Sequence, residues 1–110
     1  MAASYLRAHG YDIDAVNWRQ KSYEIDIVAR KGNCLVFVEV KSSQDDSFGP
    51  PELRVNLTKR RRIATAASEY LSLLDDPPEE ARFDVISIFW PPGKSPEITH
   101  LESAFMIEDD

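Results

Sequence analysis

Between residues 23 and 41, YEIDIVARKGNCLVFVEVK, two runs rich in Ile, Val and Phe, 24–30 and 34–41, lie on either side of a Lys-Gly-Asn break, with charged side chains two apart at Glu24 and Asp26 and again at Glu39 and Lys41. Alternation with a period of two marks a strand, β-branched and aromatic residues suit one, and Gly and Asn between two such runs supply the positive φ of a tight hairpin. On the N-terminal side, residues 2–9 read as a short helix with Ala3, Leu6 and Tyr5 inward and Gly10 as its stop; residues 11–19, with Ile13, Val16 and Trp18, read as an irregular first strand. Farther along, Asn56 is a candidate N-cap for a helix running to about Leu74, in which Ile63, Ala66, Ala67, Tyr70, Leu71 and Leu74 recur at the spacings of an inward stripe. Residues 83–90, FDVISIFW, are an apolar run of strand length, expected to be central and covered on both faces. Residues 97–101 form a closing edge strand and 108–110 a frayed acidic end. The stretches 42–51, 75–80 and 91–96 are loop and turns by composition. In the first of these, Asp45 and Asp46 are solvated, and Phe48 either anchors the loop or stacks on a base. The order α-β-β-β-α-β-β predicts an α/β sandwich with a mixed sheet: an antiparallel meander of three strands, then a helix crossing over to a strand that pairs in parallel.

The hairpin carries more charge on one face than packing requires. Ideal alternation puts Glu24, Asp26, Val28 and Arg30 on one face and Ile25, Ile27 and Ala29 on the other, while Leu35, Phe37, Glu39 and Lys41 go together. A loop of two residues or of four sets Asp26 opposite Glu39 and Glu24 opposite Lys41. Directly opposed positions have Cβ atoms about 4.5 to 5.5 Å apart, and like charges there are destabilising unless compensated. A divalent cation compensates them, since Mg²⁺ is commonly held by one or two carboxylates plus waters and phosphate oxygens. Lys41, two residues past Glu39, then shares the face, placed to steady a metal-bound water or the charge developing on phosphorus. The bland alternative is an exposed face laced with ordinary cross-strand ion pairs. Against it, Glu39 and Lys41 extend a face begun by Leu35 and Phe37, as expected of a site at the rim of a core.

Composition narrows the class. With 110 residues, 43% hydrophobic and 29% charged, one domain spanning residues 1–110 is expected. No apolar run approaches 18 residues and no basic-apolar leader opens the chain, so neither a membrane span nor export is expected, and a cytoplasmic location follows by default. Cys34, the lone cysteine, reads as a small buried hydrophobe, and His9 as a cap residue, since no partner sits at ligand spacing. Trp90 and His100 are assigned to packing. The net charge of −6 argues at first against a nucleic-acid binder, but residues 1–74 hold 11 Lys/Arg against 9 Asp/Glu, and residues 75–110 hold 2 against 10. Lys59 lies on the inward stripe of the long helix, where it either reaches a phosphate or a site carboxylate or snorkels past the core edge. Arg60, Arg61 and Arg62 follow. Four cations near a helix N-terminus oppose the macrodipole, which points to phosphate contact, with a merely solvated basic face as the alternative. There is no Gly-rich phosphate loop and no nucleophile elbow.

The segments EIDIVA, FVEVK, Lys59 with RRRIA and EYL, RFDVI and ITHLESAF together resemble the YraN-like (UPF0102-type) family of small bacterial proteins. That family is similar to the PD-(D/E)xK nuclease superfamily, close to archaeal Holliday-junction resolvases, and the resemblance runs from about Ala3 to Phe105. It implies a restriction-endonuclease-like core and a Mg²⁺- or Mn²⁺-dependent endonuclease acting on DNA, including branched or damaged forms. Carried over residue by residue, it implies metal-binding carboxylates at Asp26 and Glu39, the main-chain carbonyl of Val40 completing the shell, and a catalytic lysine at Lys41. Lys59, with Arg60, Arg61 and Arg62, would contact nucleic acid. Glu24 either joins the catalytic group or, opposite Lys41, orients that lysine. A homodimer is expected by analogy with enzymes that cut a four-way junction at two related points. The chain departs from the family's pattern at its start, which lacks an upstream Gly-Glu segment, at Tyr23 in place of a common Gly, and at Ser42-Ser43 after the lysine. Those departures leave a rival reading, a catalytically silent module that binds nucleic acid or protein on the same fold.

Overall fold

The computed structural model describes residues 1–43 and 57–104. In chain order they form α1 (Ala2–Ala8), β1 (Asp12–Gln20), β2 (Tyr23–Lys31), β3 (Cys34–Ser43), α2 (Leu57–Ser72), β4 (Glu80–Phe89) and β5 (Glu97–Leu101), the predicted order with ends moved by a few residues. The predicted loop beyond Ser43 with Asp45, Asp46 and Phe48, the Asn56 cap and the acidic end at 108–110 lie outside the described residues.

The five strands form one sheet in the order β1-β2-β3-β4-β5. Adjacent strands are antiparallel except β3 and β4, which run parallel with α2 as their crossover. Alternation along each strand divides the core between two layers. Val28, Leu35, Phe37, Phe83 and Val85 pack against Ile63, Ala66 and Ala67 of α2, while Ile27, Ala29, Val36, Val38, Ile86 and Ile88 pack against Ala2 and Leu6 of α1. The protein is therefore an α/β sandwich with a mixed sheet, and β4, whose run 83–90 is apolar apart from Asp84 and Ser87, is covered on both faces. Among the described residues no helix is long and apolar enough to cross a membrane.

The hairpin register is the predicted one, from Lys31↔Cys34 to Ile27↔Val38. Its turn differs in one respect: Gly32 has φ +60° and Asn33 is not in the positive region, the pattern of a II′ turn, in which only the first central residue must be left-handed.

A larger departure occurs at Asp26. On β1, Val16 pairs with Ile27 and Trp18 with Ile25, skipping Asn17 and Asp26, and Asn17 has φ 52°, a conformation that Asn tolerates better than most residues. The local break reverses the pleat. Ile25 packs with Val28 and Trp18 on the α2 side instead of sharing a face with Ile27 and Ala29. Its paired ladder with β3 also ends at Ile27↔Val38, so β2 parts from its neighbour where the charged residues begin.

Of the two residues assigned to packing, His100 does pack, its ring 5.7 Å from that of Tyr5 and 5.8 Å from that of Tyr11, and it also meets a carboxylate, whereas Trp90 lies largely at the surface. Trp90 is 41% exposed just past β4, with its backbone N–H donating to the Ser43 carbonyl at 2.9 Å. His100 places Nε2 2.7 Å from Oδ2 of the fully buried Asp84. His9, in contrast, is the exposed C-cap of α1, with Nδ1 2.8 Å from the Tyr5 carbonyl.

Candidate functional site

Where β2 leaves β3, the Asp26 carboxylate fills the gap. Its Oδ2 accepts the Val40 N–H at 2.8 Å, replacing the backbone partner that a continued ladder would supply. In an extended strand the N–H and C=O of one residue point toward the same neighbour, so the Val40 carbonyl faces this gap too. Glu39, one residue back on β3, points to the α2 side, its side chain only 8% exposed. Its Oε1 lies 3.2 Å from Lys41 Nζ and 2.5 Å from Lys59 Nζ. Lys41 is there because positions i and i+2 share a strand face; Lys59 is there because the inward stripe of α2 continues back through its first turn. Asp26 is close enough to Glu39 for the charge of one to act on the other. Asp26, Glu39, Lys41 and Lys59, distant in sequence, thus meet at one point on the core rim.

Burial raises the Asp26 pKa above the carboxylate range, and the adjacent Glu39 charge raises it further, against the Val40 hydrogen bond. Lys41 is lowered, first by burial and then by the second ammonium beside it. Lys59 goes the other way: burial alone would lower it, but its hydrogen bond to Glu39 and the negative charges of Glu39 and Asp26 outweigh that and raise it. Of the two lysines, Lys59 is the one held as a cation and Lys41 the one readier to give up its proton, the kind of division that separates acid and base roles in one cleft.

No group of three or more His, Cys, Asp and Glu side chains able to hold a metal ion occurs among the described residues, so an all-protein cage is not built here. Two carboxylates and a carbonyl nevertheless suit Mg²⁺ or Mn²⁺, which retain several water or phosphate oxygens. A divalent ion would also relieve the carboxylate repulsion that raises Asp26.

Glu39 and Lys59 open into a cavity of about 660 Å³ whose walls also include Tyr23, Glu24, Thr58 and Arg62. Glu24 is not opposite Lys41, because β2 has already separated from β3. It is exposed and pairs with its register partner Arg19 on β1 at 3.2 Å. Arg61 and Arg62 are exposed on α2 and Arg60 is half-buried; of these, only Arg62 reaches the cavity wall.

A second polar cluster, on the α1 side of the sheet, was not anticipated. Asp84 accepts Arg82 Nε at 2.8 Å and Nη2 at 2.9 Å, and the Ser103 N–H at 3.0 Å. The same guanidinium donates to the Tyr11 hydroxyl at 2.7 Å. The signal that could have found this cluster was an Asp inside an apolar run with Arg at i−2, since a buried carboxylate needs partners.

The raised Asp26 pKa has a consequence for stability. The folded protein holds that proton more tightly than the unfolded chain, so the contribution is complete below the unfolded carboxylate pKa and is lost as pH rises through the folded value. Asp26→Asn removes a neutral-pH cost. Without divalent cations the variant is expected to melt above the wild type at pH 7, with the difference closing as the pH falls toward about 4, as read from thermal melts across that range.

A family model described as "Uncharacterised protein family UPF0102" matches residues 1–88. The chain is similar to a UPF0102 protein of Nocardia farcinica, 42% identical over 105 residues, a match covering 96% of this chain and 83% of the relative. A UPF0102 protein of Geobacter metallireducens is 45% identical over 105 residues, covering 96% and 85%. One from Chlorobaculum tepidum is 43% identical over 114 residues, covering 99% and 88%.

Proposed function

The chain belongs to the UPF0102 family, and from that premise we propose that it is a Mg²⁺- or Mn²⁺-dependent endonuclease hydrolysing DNA phosphodiester bonds, with branched or damaged DNA as its preferred class. The observation that carries this reading is the meeting of Asp26, Glu39, Lys41 and Lys59 where β2 and β3 diverge. The likeness of Asp26 and the Glu39-x-Lys41 pair to the PD-(D/E)xK pattern supports it.

In this reading Asp26, Glu39 and the Val40 carbonyl hold the cation. When bound, the ion supplies Lewis-acid neutralisation of phosphate charge and activation of water. The chain's own residues do the rest. Lys59, kept charged by Glu39, holds a non-bridging phosphate oxygen. Lys41, with its proton loosened by burial, would in its neutral form take a proton from the attacking water as that water bonds to phosphorus beside Glu39, while the leaving oxygen departs with its bonding electron pair and is protonated by solvent. The half-enclosed cavity limits bulk water around the reacting phosphate, which strengthens these interactions.

A binding module that does not cut has one observation in its favour: Glu39 is already paired with the ammonium groups of both Lys41 and Lys59. Incubating the protein with four-way-junction, nicked and single-stranded DNA in Mg²⁺, Mn²⁺ or EDTA separates the two readings. Cleavage is expected with either ion, none in EDTA, and at least about a hundredfold less for Lys41→Ala. Binding without cutting in any ion would favour the silent module, and cutting that survives Lys41→Ala would mark a contaminant.

A further inference from the structure

Next to the site cavity lies a second groove of about 430 Å³, lined by Ser22, Tyr23, Thr58, Arg61, Arg62 and Thr65. Ser22, Tyr23, Thr58 and Arg62 line both spaces, so the two are continuous. One wall is the β1–β2 turn, where Lys21 takes φ 57° so that Ser22 and Tyr23 follow at once. The other is the first half of α2, on which positions 58, 61, 62 and 65 share a side because residues three and four apart are neighbours.

Charge is sorted along this path. The site cavity is lined by Glu24 and Glu39 beside Lys59 and Arg62, whereas the groove is lined by two arginines, no carboxylate, and the hydroxyl-bearing residues Ser22, Tyr23 and Thr58. Thr65 differs, since its hydroxyl donates to the Arg61 carbonyl at 3.0 Å. Arg62 has no hydrogen-bond or ion-pair partner among the described residues, and it sits one turn from Lys59. Guanidinium forks with nearby hydroxyl donors match phosphate oxygens. The volume lies in the range that accepts a small organic ligand, about 300 to 1,000 Å³, more than a lone phosphate needs. Few apolar walls grip a base, however, so recognition falls to the backbone.

We propose that this groove is a subsite for the nucleotide adjoining the scissile phosphodiester: a nucleic-acid strand passes between the β1–β2 turn and α2, its flanking phosphate on Arg62 while the next phosphate reaches Lys59 and Glu39. This rests on the nuclease reading for the identity of the polymer, but is tested without catalysis. The partition also divides the arginine run, assigning Arg62 to the strand and leaving Arg60 outside both spaces.

The test is fluorescence anisotropy of a labelled single-stranded DNA oligonucleotide bound to the full chain in EDTA, over a series of salt concentrations. Arg62→Ala is compared with Arg7→Ala, which removes the same charge from α1 on the opposite side of the sheet. Arg62→Ala is expected to weaken binding about tenfold and to make the log affinity against log salt plot shallower by about 0.7, one phosphate on a single strand. Arg7→Ala should change affinity by less than about twofold. Equal losses in the two variants would reduce the groove to a diffuse basic field and overturn the assignment, as would an unchanged slope for Arg62→Ala. Displacement of the oligonucleotide by a mononucleotide at equal phosphate concentration would also overturn the strand path. Failure of the wild type to cut DNA in Mg²⁺ or Mn²⁺ bears on the nuclease reading and leaves this binding result standing.

Discussion

Glu39→Gln is expected to lower DNA cleavage in Mg²⁺ about 10²- to 10³-fold, the scale of losing several kcal/mol of electrostatic stabilisation at a reacting phosphate. Glu39 touches both lysines and also lies beside Asp26. Gln keeps its shape, so β3 and its packing are retained. What goes is the charge: a cation would be left with one carboxylate, Lys59 would lose the anion that fixes its position, and Lys41 would lose a neighbour that favours its charged form. Three roles fail together, so the loss should show in the single-turnover rate constant at saturating DNA. Retention of more than a tenth of the wild-type rate by a folded Glu39→Gln protein would place the chemistry elsewhere.

Asp84→Ala is expected to be the most damaging change to stability, costing about 3 kcal/mol and lowering Tm by roughly 12 °C or more. Asp84 is wholly buried and its two oxygens receive the Arg82 fork, the Ser103 N–H and a bond from His100. Removing the carboxylate takes the two-pronged partner from an Arg82 guanidinium that is only 23% exposed, together with the partner of the Ser103 N–H and of a nearly buried imidazole. Arg82 retains some water, which puts the cost at the lower end of the range for a broken buried pair. The cluster also joins Tyr11 before β1, His100 on β5 and Ser103 to the central strand β4, so its loss loosens three segments at once. Thermal and urea melts check this. Because Asp84 and the Glu39 site occupy opposite faces, cleavage by the folded fraction at low temperature should persist.

The sheet was legible because its strands are runs of β-branched and aromatic residues bounded by turn signals. Such runs located β2 and β3, the short turn fixed their register, and the inward stripe of α2 ran on into Lys59, which meets Glu39. The alternation of faces failed where it assumed an ideal strand. Asn17 in a left-handed conformation turns the pleat over, sending Ile25 to the α2 side and carrying Glu24 away from Lys41 toward Arg19. Nothing local in the β2 sequence announces this, since the cause lies nine residues earlier on another strand. The Asp84 cluster was hidden for a similar reason. Its members come from the segment before β1, from β4, from β5 and from the chain just beyond, and His100 becomes a polar partner only once β5 is paired with β4. The II′ turn was missed at a finer level, because a Gly-Asn pair is compatible with either primed turn.

The account depends on Asp26 and Glu39 sharing one cation. The direct measurement is anomalous diffraction from crystals of the wild-type protein soaked in Mn²⁺, recorded at a wavelength where manganese scatters anomalously. A single strong peak is expected in the gap between β2 and β3, about 2 Å from an oxygen of each carboxylate, with Lys59 Nζ displaced from Glu39. A saturating soak that leaves the gap without a peak and keeps Lys59 on Glu39 would contradict it.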